Sequence, residues 1–561
     1  MKRTIDPIKS EVIARFLLAT AEEMAATLMR TAFSPNIKER ADCSTAIFDV
    51  AGEVIALAQR VPIHLGSMVG AVDEILKRFP MPEILPGDMF VANDPYNGGG
   101  THLPDINVIA PVFKGKKIIA FVANIAHHAD VGGMVPGSEA AVCKSIYQEG
   151  LRIPPVRIMR KGVVNRDVVD IILLNSRTPD ERVGDLNAQF AANTVGARSV
   201  LQLFDRYGLK QTQTAIAGYL DFTEKRFRAA INRLPPGRYE AEDFLDGNLA
   251  GETCAIKLAL TIANGNKGRM DFDFAGSGQQ LESARNIPYR ALLATVYTVA
   301  KAMLDPEVPA NAGYYRTLHI KAPPGCVVGP VPPAAIGCRS ISAAVLGDVI
   351  AHALSQAMPD KALAGSGPHH LFVLSGTDPR TGIYFVDYET VAGGMGARAN
   401  RDGVDGVRVH ASGSSNLPSE ALEHAYPFRV ERYALWDESS GPGQYRGGAG
   451  VIRDYRVLAD DIVVSLSSER QHVPSPGMAG GGAGACGAFV LNPGTPQAQI
   501  LPSAAADVPL PRGSVLRICT PAGAGYGNAR QRTITAVEKD VVEGRISPNY
   551  SSRIYLEGGL P

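Results

Sequence analysis

A mixed α/β fold of the α+β kind is predicted, with a helix-containing N-terminal metal-site domain followed by a β-rich, glycine-loop C-terminal region. Three observations point to it. Apolar residues recur at helical spacing near the N-terminus and again between residues 167 and 234. Two apolar runs between those helices are spaced as a hairpin. Beyond Pro235-Pro236-Gly237, strand-like alternation and glycine clusters predominate. With 561 residues the chain exceeds what one core accommodates, so the main boundary is placed there, giving domains 1–235 and 236–561.

Asp6 reads as an N-cap with Pro7 at the first helical position, and Ile8, Val12, Phe16, Leu17, Met24 and Leu28 carry a helix to about Thr31. Residues 40–58 read as two strands joined at Ala51-Gly52. His64-Leu65-Gly66-Ser67-Met68 then leads into a helix with Met68, Val72, Ile75 and Leu76 on one face. The hairpin pairs Asp105–Phe113 with Lys117–Ala126 and turns at Lys114-Gly115-Lys116. Helices are expected over Asp167–Asn193, Val195–Tyr207 and Phe222–Leu234, and one more, about Ser342–Ala357, interrupts the strands of the second half. The glycine clusters around 441–450, 477–487 and 520–527 read as tight turns and close backbone packing. None follows a strand and opens a helix as a phosphate cradle does, and no Gly-x-x-x-x-Gly-Lys-Ser/Thr occurs.

Lys+Arg and Asp+Glu are both 56, and no basic run interleaved with aromatics appears, so nucleic-acid binding is disfavoured. No apolar stretch is long enough to span a bilayer and the N-terminus lacks a signal-peptide core, so a cytoplasmic protein with no membrane role is expected. The seven cysteines are scattered, with no Cys-x-x-Cys pair, and read as reduced thiols. Cys43 reads as a small buried residue rather than a nucleophile, which would need a base beside it.

The chemistry concentrates in Asn93-Asp94-Pro95-Tyr96-Asn97-Gly98-Gly99-Gly100-Thr101-His102-Leu103-Pro104-Asp105 and in His127-His128-Ala129-Asp130. Three of the eleven histidines fall here, around a glycine-rich loop and the two hairpin strands. The hairpin brings its ends together, so His102, Asp105 and His127 become neighbours. Two imidazoles and a carboxylate suit zinc, manganese or ferrous iron and leave coordination positions open for water or substrate. Taken singly, each residue also fits a structural role, His102 at a turn and Asp94 and Asp105 in Asx turns. Jointly they favour a metal.

The segments Arg40-Ala41-Asp42-Cys43-Ser44, His64-Leu65-Gly66-Ser67-Met68, Gly99-Gly100-Thr101-His102-Leu103-Pro104-Asp105, Glu149-Gly150-Leu151-Arg152-Ile153-Pro154-Pro155, Tyr426-Pro427-Phe428-Arg429-Val430-Glu431-Arg432-Tyr433 and Tyr445-Arg446-Gly447-Gly448-Ala449-Gly450 carry a further signal. In that order, over nearly the whole chain, they resemble the hydantoinase B/oxoprolinase family, subunits of ATP-dependent cyclic-amide hydrolases, with the related acetone and acetophenone carboxylase subunits. The resemblance implies a divalent metal (zinc, manganese or iron) held by Asp42, His102, Asp105 and His127. It also implies an ATP-binding hydantoinase A-type partner in an (αβ)2 or larger hetero-oligomer, and hydrolysis of a hydantoin, 5-oxoproline or a lactam. His128, Asp130 and Asp94 are then expected to orient the ligands or move a proton, with His64 the next candidate for a base. Two other readings are a ketone-carboxylase subunit using the same ligands, and a non-catalytic scaffold whose metal staples the fold.

Overall fold

The computed structural model of the protein describes residues 7–58, 60–247, 252–265 and 268–556; Asp6, the expected N-cap, lies outside them. The N-terminal helix α1 (Pro7–Thr31) ends where expected and is followed by one turn, α2 (Pro35–Lys38). Strands β1 (Cys43–Phe48) and β2 (Val54–Ala58) pair antiparallel across a turn with Gly52 at φ 83°. Then come α3 (His64–Met68), β3 (Met89–Ala92), the hairpin β4 (Asp105–Lys114) and β5 (Lys117–His127), β6 (Val156–Arg160) and β7 (Val163–Val164). These seven strands form one antiparallel sheet in the order β2-β1-β5-β4-β3-β6-β7.

Both faces of that sheet are buried, and the side-chain alternation of a strand assigns them to two cores. Ile106, Val108, Ala110 and Val112 of β4, with Val122 of β5, pack with Leu17 of α1 and with Leu186 and Phe204 of the long helix α4 (Pro179–Tyr207). Ile109, Phe121, Ala123 and Ile125 face the other way, onto a core that includes Leu260 and Val345 from beyond residue 235. One hydrophobic cluster therefore spans the sequence position of the expected boundary.

Three helices differ from the sequence pattern. The helix expected to run on from Met68 is broken: Gly70 adopts φ 78° and a new helix starts at Ala71. The break expected at Asn193–Val195 falls instead at Asn175–Thr178, because Pro179 lacks an N–H and starts a new helix with α4. The last helix of this layer, α5 (Leu209–Ile231), begins thirteen positions before Phe222. A helix not anticipated, α6 (Tyr289–Leu304), is buried over most of its circumference, so its 3.6-residue periodicity is faint.

The second half carries the strands expected of it. Strands β8 (Gly237–Asp246), β9 (Thr253–Ala263), β10 (Arg269–Asp273) and β11 (Leu318–Lys321) make a four-stranded sheet, against which α7 (Arg339–Ala357) packs. Beyond α7, β12 (His370–Thr377) and β13 (Tyr384–Val391) belong to a second four-stranded sheet, and a five-stranded sheet follows. The glycine clusters are close backbone contacts: a Cβ on Gly447 would meet the Gly523 carbonyl oxygen at 1.8 Å, and one on Gly523 would meet the Met395 carbonyl oxygen at 2.0 Å.

Candidate metal centre

Strand register builds the centre. Asp105 at the start of β4 lies directly opposite His127 at the end of β5, and the His127 N–H donates to the carbonyl of Asp42, just before β1, at 3.0 Å. His102 precedes β4 by three residues and α3 begins at His64, so all five side chains converge on one end of the sheet. Ligand atoms of His102, Asp105 and His127 all lie within 4.8 Å of one another, and all three residues are buried.

One Asp105 oxygen is anchored and the other is not. Oδ2 accepts from Thr101 Oγ1 at 2.8 Å and from Arg339 Nη2 at 2.8 Å. Oδ1 stands 3.0 Å from His102 Nε2, yet neither atom has an aligned hydrogen-bond partner, although both residues are 0% exposed. Buried polar atoms are normally satisfied, and here the two poorly aligned atoms belong to metal-ligating residue types that converge with His127 within 4.8 Å.

Glu139 fixes the orientation of the rings. Its Oε1 stands 2.8 Å from His102 Nδ1, with the Gly337 carbonyl 3.1 Å from the same nitrogen, so Nε2 is turned toward Asp105. The same oxygen is 2.9 Å from His127 Nε2. Asn36 Nδ2 donates to the His127 carbonyl at 2.8 Å and stands 2.9 Å from ring Nδ1, so Nε2 is the ring nitrogen that faces Glu139 and the cluster. Tyr388 stacks on the same ring, with centroids 4.4 Å apart.

The electrostatics favour a positive charge here. Burial and the Arg339 guanidinium push the His102 ring down, but the carboxylates of Asp105 and Glu139 overcome both and raise it to about 9. Burial raises Glu139, and the two imidazoles bring it down to about 2. Asp105 is held well below the usual carboxylate range by His102, Arg339 and His64, against its own burial. The site draws a proton to His102 where a cation would compete with it.

Asp42 and His64 complete the rim. His64 Nε2 sits 3.4 Å from Asp42 Oδ1 and 3.6 Å from Asp105 Oδ1, and its Nδ1 is 3.2 Å from Ser44 Oγ. Asp42, His64 and His127 line a cavity of 20 Å³, enough for about one water. A two-imidazole, carboxylate donor set of this kind fits zinc, manganese or iron rather than magnesium or calcium, which take oxygen ligands.

The remaining candidates have partners elsewhere. The His128 side chain turns toward Gln189, Nε2 to Oε1 at 3.1 Å, and burial with the Arg182 charge lowers it to about 4. Asp130 accepts from the N–H groups of Gly137 (3.1 Å) and Arg177 (2.7 Å) and from the Arg177 guanidinium (3.0 Å). Asp94 is held by Arg152 at 2.6 Å and by the Tyr96 N–H at 2.8 Å. None of the three hydrogen bonds to the cluster. Cys43 is buried, and burial with the nearby Asp42 charge lifts its thiol to about 12. Glu139, Asn36 and Arg339 were not anticipated; each is a single polar residue in an unrelated segment, with no spacing to mark it.

Residues 6–529 match the family model described as Hydantoinase B/oxoprolinase. The chain is 33% identical over 564 residues to the putative B component of a D-/L-hydantoinase from Pseudomonas sp. (strain NS671), covering 97% of this chain and 94% of that one. The crystal structure of ATP-dependent caprolactamase from Pseudomonas jessenii is similar with a TM-score of 0.90 at 27% identity, over 100% of this chain and 97% of the other. Nucleotide-free acetone carboxylase is similar in fold alone, with a TM-score of 0.90 at 19% identity over 98% of this chain and 79% of the other. In sequence along nearly its whole length, and in fold, the chain belongs to the hydantoinase B/oxoprolinase family.

Proposed function

We propose that this chain is the metal-holding, B-type component of an ATP-dependent hydrolase that opens a cyclic amide, working with an A-type component that binds ATP. The observation that carries the reading is the convergence of buried ligand atoms of His102, Asp105 and His127 within 4.8 Å of one another, with His102 Nε2 and Asp105 Oδ1 3.0 Å apart. A purely hydrogen-bonded network would align such a pair with each other or with a neighbour. The similarity to a hydantoinase component and to caprolactamase supports a ring containing an amide as the substrate class.

A divalent ion held by His102, Asp105 and His127, with Asp42 as a fourth ligand, supplies Lewis acidity toward a carbonyl or water oxygen. The chain's own residues supply the rest. Arg339 and Thr101 lock the Asp105 carboxylate by one oxygen, so the other keeps a fixed aim. Glu139 holds His102 in the orientation that turns Nε2 inward. His64, poised between Asp42 and Asp105 on the cavity wall, is the group placed to take a proton from an attacking water. ATP in the partner would activate the amide, an unstrained group that water alone attacks slowly.

The test is reconstitution with the A-type component, elemental analysis and an ATP-dependent assay on hydantoin, 5-oxoproline and caprolactam. Wild type should carry stoichiometric metal and open at least one ring, and His102→Ala or His127→Ala should lose both metal and turnover. Full turnover by a metal-free variant would overturn the reading. Incorporation of labelled bicarbonate into a ketone, in place of ring opening, would move the chain to the carboxylase class.

A further inference from the structure

Deeply buried arginines in this chain are generally matched to a carboxylate: Arg339 to Asp105 at 2.8 Å, Arg453 to Glu389 at 3.1 Å, Arg470 to Asp243 at 2.6 Å. Arg40 and Arg408 break the pattern. Arg40 is 1% exposed and donates to the carbonyls of Ser415 and Tyr388 and to the Thr390 hydroxyl. Arg408, half-buried, donates to Ser412 Oγ at 3.2 Å, to the Thr390 carbonyl at 2.7 Å and to the same Thr390 hydroxyl. Among the described residues, neither guanidinium has a carboxylate oxygen within 4.0 Å. Two like charges share one neutral acceptor here; the charges of Glu389 and Asp42 act on them only at longer range, and a contacting anion would offset their repulsion further.

The second observation is where Arg408 sits. It lines the cavity shared by Asp42, His64 and His127, together with Ser340 and His369. His369 is 2% exposed; its Nε2 is 3.2 Å from Ser340 Oγ and its Nδ1 has no partner. The cavity wall thus combines one carboxylate, Asp42, and two imidazoles fit for a cation with, among the described residues, a guanidinium that has no carboxylate within 4.0 Å and a ring nitrogen without a partner. The cavity, 20 Å³, has room for about one water, the space an oxyanion's oxygen would take.

We propose that Arg408, with Ser340 and His369 beside it, is an oxyanion subsite next to the metal cluster, which binds a carboxylate or phosphoryl group carried by the ring substrate. The assignment rests on the reading of the site as a ring-opening centre. A planar guanidinium matches either group with paired N–H donors.

The direct test is titration calorimetry of inorganic phosphate and of acetate into the metal-loaded full-length chain, with metal content and melting curves as controls. Wild type should bind at least one of the two saturably, and Arg408→Gln should weaken that binding about tenfold or more. Binding that is unchanged in the variant, or absent in wild type, overturns the proposal. Should Arg408→Gln fail to fold, Arg408→Lys, which keeps the charge and loses the fork, decides by the same criterion. In the reconstituted complex, a larger rise in KM for 5-oxoproline than for caprolactam supports a substrate carboxylate as the ligand. An equal fall in kcat for both supports a phosphoryl group. No change in either constant overturns the subsite. If the wild-type complex opens no ring at all, the ring-opening reading falls, and the phosphate and acetate titrations still decide whether the subsite exists.

Discussion

Two of this chain's clusters of buried charged residues treat hydrogen-bonding capacity in opposite ways. Near the C-terminus, Asp540 gives Oδ1 to Arg446 at 3.1 Å and Oδ2 to Arg532 at 2.7 Å. Asp402 gives Oδ1 to Arg532 at 2.7 Å and to the Arg446 N–H at 2.9 Å, and Oδ2 to Arg532 at 2.8 Å. Asp405 takes Arg446 at 2.8 Å, the Ala449 N–H at 2.8 Å and Arg545. Every carboxylate oxygen there is occupied. In the sheet-end cluster, His102 Nε2, Asp105 Oδ1 and Glu139 Oε2 have no partner. Both places are rich in charge, so charge alone does not identify a functional site. Convergence of ligand atoms does: those of His102, Asp105 and His127 lie within 4.8 Å of one another.

The comparison is sharpened first by removing one partner from the saturated network. Asp540→Ala leaves two buried guanidiniums short of an acceptor and should cost roughly 3–5 kcal/mol of stability. Melting of the variant in the presence and absence of a chelator should show the same loss in both. Wild type should behave differently: at metal a thousandfold above its dissociation constant, chelation should remove about 4 kcal/mol. A chelator that leaves the wild-type melting curve unmoved would erase the distinction between the two clusters.

Much of the orphaned site was legible in the sequence, because strands announce themselves and carry their neighbours with them. The hairpin prediction brought the Asp105 and His127 ends together, and the observed register, with Lys114 paired to Lys117 and a bulge at Val112/Phe113, sets the two residues opposite each other. Asp42 came only through family resemblance; nothing local distinguishes it, and its position beside β5 follows from β1 joining the hairpin. Arg339 lies 234 positions from the aspartate it anchors, and Asn36 lies 91 from the ring it orients. Such contacts are set by helices docking on a sheet, which short-range patterns do not encode. The same limit explains α6, whose apolar surface faces neighbours on nearly all sides, and the helix break at residues 175–178, where the proline and not the polar Asn193 decides.

A smaller effect separates anchoring from ligation within the open cluster. Glu139→Gln keeps an acceptor for one imidazole but loses the charge that both rings face, so metal affinity should fall about 10- to 100-fold. Competition against a chromophoric chelator would measure it. If affinity is unaltered, His102 takes its orientation from the Gly337 carbonyl, which also stands 3.1 Å from Nδ1.

The smallest difference expected is in how the saturated network answers acid. Burial raises Asp402, and Arg532 and Arg446 overcome that and hold it below its ordinary value. A carboxyl with a depressed folded-state pKa stabilises the fold above its unfolded value, near 3.8, and that contribution is lost as pH falls through the folded value. Asp402→Asn should therefore lower stability at neutral pH, where the pair is complete, and flatten the acid limb of the stability curve below about pH 4. The Asp402 side chain is 34% exposed, so solvent screening keeps the effect well under that of Asp540, which is 4% exposed. Thermal melts from pH 2 to 7 on metal-free protein measure it without interference from the sheet-end site. Parallel wild-type and variant curves across that range would mean that the ion pairs around Asp402 add geometry and no free energy.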